Sequence, residues 1–166
     1  MPTGDSPTHD LPALTRRWFA EVWNKGREEV IEQMTAPDAR ARGLAQGERE
    51  LVGPAAFKEF YRPMKSALPD IDISIDDVIS QGDQTCCRLT ACGTHAGDGL
   101  GVPPTGRKVS FTALVWIRWK DGKIAEAWNE FDSAHLLGQI TADGAGAGAG
   151  PGAGAAAAMT AAVKPR

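Results

Sequence analysis

The stretch KVSFTALVWIRWKDGKIAEAWNEF, residues 108–131, decides the fold. Its first half is rich in Val, Phe, Thr, Ile and Trp, side chains that suit a pleated strand. Asp121-Gly122 follows, and Asp-Gly between two such runs is the strongest short-range signal for a β-hairpin. Two antiparallel strands are therefore expected, over 108–119 and 123–131. Side chains alternate along the first. Phe111, Ala113, Val115 and Ile117 share one face, and Ser110, Thr112, Leu114 and Trp116 the other.

Working outward, residues 96–106 form a loop rich in Gly and Pro, preceded by a strand over 84–95 and a Gly82-Asp83 turn. Ile71, Ile73 and Ile75 alternate with Asp72, Ser74 and Asp76, which marks a strand with one buried and one wet face. Before Pro69 the apolar period lengthens to that of helices. A helix opens at Pro54 and runs to about residue 68, with Phe57, Phe60, Tyr61 and Met64 on one face. Pro63 inside it is expected to kink or end the hydrogen bonding near its preceding turn. The polar, arginine-rich residues 38–51 are expected to hold a short strand and a loop. A short helix over 27–35 carries Val30, Ile31 and Met34 and is closed by Pro37. Leu11, Leu14, Trp18 and Val22, widened by Phe19 and Trp23, predict an amphipathic helix over 11–24. At the other end Asp132 is placed to cap a last helical turn through Leu136, Leu137 and Ile140. Three helices followed by four strands in meander order give an α+β domain, a strongly curved antiparallel sheet wrapping three N-terminal helices.

Of the 166 residues, the last 26 contain 11 Ala and 6 Gly. We expect a flexible segment over 1–10, one folded domain over 11–140 and a disordered Ala/Gly-rich tail over 141–166. About 140 residues suffice for one core and exclude a two-domain enzyme. The chain has 18 Lys and Arg against 21 Asp and Glu, a net charge of -3 with no basic stripe, which argues against a nucleic-acid partner. The first eleven residues have no apolar run for a secretory signal, and the longest apolar stretch is too short for a bilayer. No membrane partner and a cytoplasmic location are the expectations. Cys86, Cys87 and Cys92 crowd one strand without the spacing of a zinc site or a disulfide framework, so they read as buried thiols. His9, His95 and His135 are too dispersed for a metal site, and phosphate-loop, dinucleotide, zinc-protease and serine-hydrolase motifs are absent.

Four local phrases stand in one order and spacing: Phe19-Ala20-Glu21-Val22-Trp23-Asn24-Lys25-Gly26; Gly93-Thr94-His95-Ala96-Gly97 followed by Gly101-Val102-Pro103-Pro104-Thr105-Gly106; Asp121-Gly122-Lys123-Ile124; and Glu126-Ala127-Trp128-Asn129-Glu130-Phe131-Asp132. Through them residues 11–140 resemble the SnoaL-like polyketide cyclase, or ester cyclase, branch of the nuclear-transport-factor-2-like superfamily. The resemblance implies a cone-shaped α+β barrel that admits a small hydrophobic molecule, and a homodimer formed through the outer face of the sheet. It also implies an aldol closure run by a His and an Asp without metal or cofactor. In this chain the Asp position is Asn129 and the His position is Val115. Neither side chain can carry a proton near neutral pH, but an amide can hold a carbonyl or enolate oxygen in a dry pocket.

By the register the resemblance carries, Phe111, Ala113, Val115, Ile117, Ala127 and Asn129 face into the cone. Trp18, Met34, Phe57, Phe60, Tyr61 and Met64 are the candidates to complete its walls, with plain core packing as the alternative for each. Three groups are candidates to act on a ligand: Asn129; His95, which otherwise holds the Gly/Pro loop by hydrogen bonds; and Asp132, which otherwise caps the last helix. Glu126 and Glu130 are expected on the outer side. The expected function is a small cofactor-independent enzyme that binds a hydrophobic, carbonyl-bearing molecule, polyketide- or steroid-like, and promotes cyclisation, isomerisation or a related proton transfer. The competing expectation is a non-catalytic ligand-binding or dimeric interaction module on the same fold.

Overall fold

The computed structural model describes residues 9–44 and 49–142. The expectations for the N-terminal segment and the Ala/Gly tail fall, but for residues 9–10 and 141–142, outside this span. Helix α1 covers Leu11–Trp18, with Asp10 as N-cap accepting a hydrogen bond from the Ala13 N–H at 3.0 Å. The helix then widens without a break into a π-helical turn, Phe19–Asn24, closed by the Lys25 N–H on the Ala20 carbonyl at 3.0 Å. The rest of the chain runs α2 (Glu29–Met34), β1 (Thr35–Arg42), β2 (Leu51–Val52), α3 (Gly53–Ala67), β3 (Asp72–Gln81), β4 (Gln84–Thr94), β5 (Lys108–Lys120), β6 (Lys123–Phe131) and α4 (Ser133–Thr141).

The α+β class and the curved sheet over three N-terminal helices hold, and the hairpin is formed as its sequence requires. Asp121 and Gly122 have φ of 51° and 73°, so both central residues adopt the left-handed values of a type I′ turn. The β5–β6 register sets Val115 directly opposite Asn129, and the β4–β5 ladder sets it opposite Cys87.

Four details differ from the sequence reading. The sheet has six strands in the order β2-β1-β6-β5-β4-β3, and β1 runs parallel to β6, so the meander is extended by one mixed pairing. β1 supplies the short strand expected in the arginine-rich segment: Ala39 faces the core at 5% exposure, while Arg40 and Arg42 pair with Glu50. Pro37 does not close α2, which ends at Met34. It lies inside β1, where the β1–β6 register breaks between Thr35 and Arg40 and a missing N–H costs no ladder bond. Pro63 does not end α3, which continues to Ala67. Finally, α4 makes two full turns and includes Thr141, one residue past the expected domain limit.

The core lies between the concave face of the sheet and the helices. Val22, Ile31, Leu68, Leu136 and Ile140 are all at most 1% exposed. At one end Thr15, Thr85 and Trp119 form a buried chain: the two hydroxyls are 2.9 Å apart, and the Trp119 indole N–H donates to Thr85 Oγ1 at 3.0 Å. Loop 96–106 packs over the end of α3, with the Ala96 and Gly97 N–H groups donating to the Ala67 carbonyl. No helix among the described residues is long and apolar enough to cross a membrane.

Candidate functional site

The concave side holds a half-open cavity of about 70 Å³. Trp18, Phe19 and Trp23 line it from the first helix and its π turn, and Phe57, Phe60 and Met64 from α3. The sheet supplies Ile73, Leu89, Phe111, Ala113, Val115 and Phe131. The aromatic rings touch in series, Trp18 to Phe57 at 5.4 Å, Phe57 to Phe60 at 6.2 Å, Phe60 to Phe131 at 6.4 Å and Phe131 to Phe111 at 6.1 Å. Such tilted and edge-to-face pairs prefer these separations. A second recess of about 40 Å³ shares Trp18, Phe57, Val115 and Asn129 and extends to Thr35, Ile117 and Ala127.

Asn129 is the polar point of the main cavity. Its Nδ2 donates to the Arg42 carbonyl at 2.9 Å across the parallel β1–β6 pair. A carbonyl accepts only from the amide nitrogen, so this bond fixes which way the amide points. One N–H and Oδ1 then have no partner among the described residues. Gly43, at φ 78°, presses on the same spot: a Cβ there would lie 1.8 Å from the Asn129 carbonyl oxygen. The Arg42 side chain lies on the outer face, bonded to Glu50 Oε1 through Nε at 2.6 Å and stacked 4.3 Å from the Trp128 ring centroid.

The structure thus gathers Trp18, Phe57, Phe60, Met64, Phe111, Ala113, Val115 and Asn129 around the main cavity, and Ile117 and Ala127 around the recess. Met34 and Tyr61 are core residues that line neither, being 3% and 2% exposed. The Tyr61 hydroxyl is spent on the Val22 carbonyl at 2.9 Å, and burial raises its pKa. Asp132 lies outside the cavity and is a helix cap, its Oδ1 accepting from the His135 N–H at 2.9 Å.

His95 is also away from the cavity, fully buried beneath the Gly/Pro loop. Its Nδ1 accepts from the Thr105 N–H at 3.3 Å and lies 3.1 Å from Thr105 Oγ1, while its backbone bonds Gly106 and Arg107. Burial lowers its pKa, with the nearby Gly97 backbone opposing. The loop-holding alternative therefore describes its contacts. Glu126 faces outward, 3.3 Å from Arg118.

Phe19, Trp23, Leu89 and Phe131 are lining residues that the sequence reading missed. Phe131 was accessible to it, since it continues the alternation of Ala127 and Asn129. No titratable side chain lines the main cavity among the described residues. The chamber can hold an apolar molecule and offer one amide to its oxygen; among the described residues it has no group to carry a proton. Among the described residues no three His, Cys, Asp or Glu side chains gather as metal ligands.

Comparison with known proteins places these features in context. The family model described as SnoaL-like polyketide cyclase matches residues 13–140. The chain is 28% identical over 115 residues to aklanonic acid methyl ester cyclase DauD of Streptomyces sp. (strain C5), covering 68% of this chain and 70% of that protein. Among solved structures, IdmH of Streptomyces antibioticus superposes with a TM-score of 0.70 at 28% identity, over 80% of this chain and 99% of IdmH. A SnoaL-like protein of Jannaschia sp. CCS1 gives a TM-score of 0.74 at 21% identity, over 86% and 99% of the two chains.

Proposed function

Because this chain belongs to the SnoaL-like polyketide cyclase family, we propose that it is a cyclase-type small-molecule enzyme that works without a cofactor. Its substrate is a hydrophobic, carbonyl-bearing molecule of the polyketide or steroid kind, taken into the aromatic cavity. The reaction is a cyclisation, isomerisation or related proton transfer. The observation that carries this reading is the convergence of an apolar chamber on one anchored amide, Asn129.

Asn129 lowers the barrier by hydrogen bonding the oxygen on which charge grows as a carbonyl becomes an enolate. A preorganised donor of this sort in a dry site contributes about 10²-fold or more. An aldol closure moves one proton from carbon to oxygen overall. With Val115 and Asn129 at the two key positions, the proton passes through the substrate's own enol or through water rather than through a side chain in the cavity. Turnover is therefore expected to be slow.

Homodimerisation through the outer face of the sheet belongs to the same reading. Trp116 packs edge-on against Trp128 at 4.4 Å, Arg118 sits 5.2 Å from the Trp116 ring, and Leu114 is 53% exposed. Aromatic and arginine side chains with exposed apolar surface are the composition of interface centres.

That no titratable group among the described residues lines the cavity favours a second reading, a non-catalytic ligand-binding module. One experiment separates the two. Aromatic β-keto esters are offered to wild type, to Asn129→Ala and to Val115→His/Asn129→Asp, and cyclised product is followed by chromatography. The enzyme reading expects slow wild-type turnover, a fall of about tenfold or more in Asn129→Ala, and a gain in the double variant, whose new side chains would face each other across one strand pair. Flat traces for wild type, with the esters still raising the melting temperature, would replace the enzyme by the binding module.

A further inference from the structure

The π turn Phe19–Asn24 ends the first helix at the point where that helix meets the cavity. Five residues of α-helix advance about 500°, leaving Trp18 and Trp23 about 140° apart around the axis. Closing a turn from residue i to i+5 widens it to roughly four and a half residues, which brings the two positions within about 50°. Both indoles line the cavity, and both pack on Phe57, at 5.4 and 6.4 Å.

A wide turn is less stable than an α-turn, and three side chains hold this one, two from α3 and one from the turn itself. The Tyr61 hydroxyl donates to the Val22 carbonyl at 2.9 Å, and Lys65 Nζ donates to the Trp23 carbonyl at 2.8 Å, both from α3. Asn24, the last residue of the turn, clamps the backbone of Ile73 on β3, accepting from its N–H at 2.7 Å and donating to its carbonyl at 2.9 Å. The Ile73 side chain lines the cavity as well. Tyr61 is 2% exposed, and both it and Lys65 spend a polar group on carbonyls of the last turn, which have no partner within the helix itself.

We infer that Tyr61, Lys65 and Asn24 are positioning residues for the ligand site: by holding the π turn they register Trp18 and Trp23 onto one wall of the cavity. Tyr61 acts on the ligand through Trp23, not by touching it. This inference rests on reading the cavity as the ligand site.

The test combines a ligand-free signal with a binding cycle. In protein labelled with 5-fluorotryptophan, the five indole resonances are assigned by single Trp→Phe replacements. Tyr61→Phe and Lys65→Met should each shift the Trp18 and Trp23 resonances and leave Trp116, Trp119 and Trp128 in place. Unshifted Trp18 and Trp23 signals in both folded variants, or shifts at all five, would overturn the inference. With 2-acetylnaphthalene as probe, Tyr61→Phe should weaken binding about tenfold in the wild-type background and less than twofold in a Trp23→Leu background. Equal losses in both backgrounds overturn it. Failure of the probe to bind wild type would instead remove the reading of the cavity as ligand site, and the fluorine signals would still decide what holds the turn.

Discussion

His95 shows at the residue scale how a polar side chain in a suggestive phrase can serve structure. It is buried with Nδ1 bonded to Thr105 and Nε2 without a partner among the described residues. Its pKa is lowered by burial, so the folded state prefers the neutral ring. Between that lowered value and the ordinary value of 6.5, the unfolded chain binds more protons than the folded one. Stability therefore rises with pH through this window, levels off above it, and falls on acidification from neutrality. Carboxylates whose pKa is lowered by partners, such as Glu28 beside Arg62 and Asp70 beside Thr94, lose their contribution only below about pH 4.5, so the two effects separate. Melting temperature measured from pH 5 to 7.5 should climb in wild type and stay nearly flat in His95→Gln. An equal slope in both proteins would assign the titration elsewhere. Asn129 was legible in the sequence because alternation on β6 and the family phrase place it facing inward. That its amide is already anchored to the Arg42 carbonyl was not, since the parallel neighbour comes from a strand 87 residues away in sequence.

Among the elements, the loop over 96–106 is the one whose composition is explained by contact rather than by turn geometry. A Cβ at Gly97 would lie 2.1 Å from the Ser66 carbonyl oxygen, and one at Gly99 would lie 2.0 Å from that of Pro63. Both obstacles are helix backbone, which cannot swing aside. Gly99→Ala should therefore destabilise the protein by about 2–3 kcal/mol in urea unfolding. Gly138→Ala is the matched control. Its Cβ would meet nothing within 4 Å, and it lies inside α4, so alanine should stabilise by about 0.5–1 kcal/mol. A neutral Gly99→Ala would mean that the loop does not pack on α3 in solution. Most helices and strands with clean periodicity were legible to within a residue or two, though β3 runs on to Gln81, past the alternation that ends at Asp76. The π turn was not, because its apolar pattern, Trp18, Phe19, Val22 and Trp23, suits an ordinary helix equally well.

At the scale of the whole molecule, the outer face of the sheet is the surface with most to bury. Leu114 and Trp128 are 53% and 37% exposed beside the Trp116, Arg42 and Arg118 stack. Sedimentation of wild type at tens of micromolar should give a dimer, and Leu114→Glu/Trp128→Glu should give a folded monomer, because two charges at an interface centre cost several kcal/mol. A wild-type monomer at that concentration would remove the interface from this face.

Local chemistry was enough for much of this protein. Period 2 and period 3.6, proline and glycine at their turn positions, and one Asp-Gly hairpin determined the α+β class, the β3 to β6 meander and the inward face of β5. These are short-range properties, written within a few residues of one another. Only the tertiary structure decided the rest: that the strand in the arginine-rich segment lies parallel to β6, that Asp132 and His95 do not line the cavity, and that the first helix widens where it meets it. The strand pairing and the widened helix depend on partners far away in sequence, the carbonyl of Arg42 and the ammonium of Lys65. Which distant group comes within 3 Å is set by how the layers pack, and no local pattern encodes it.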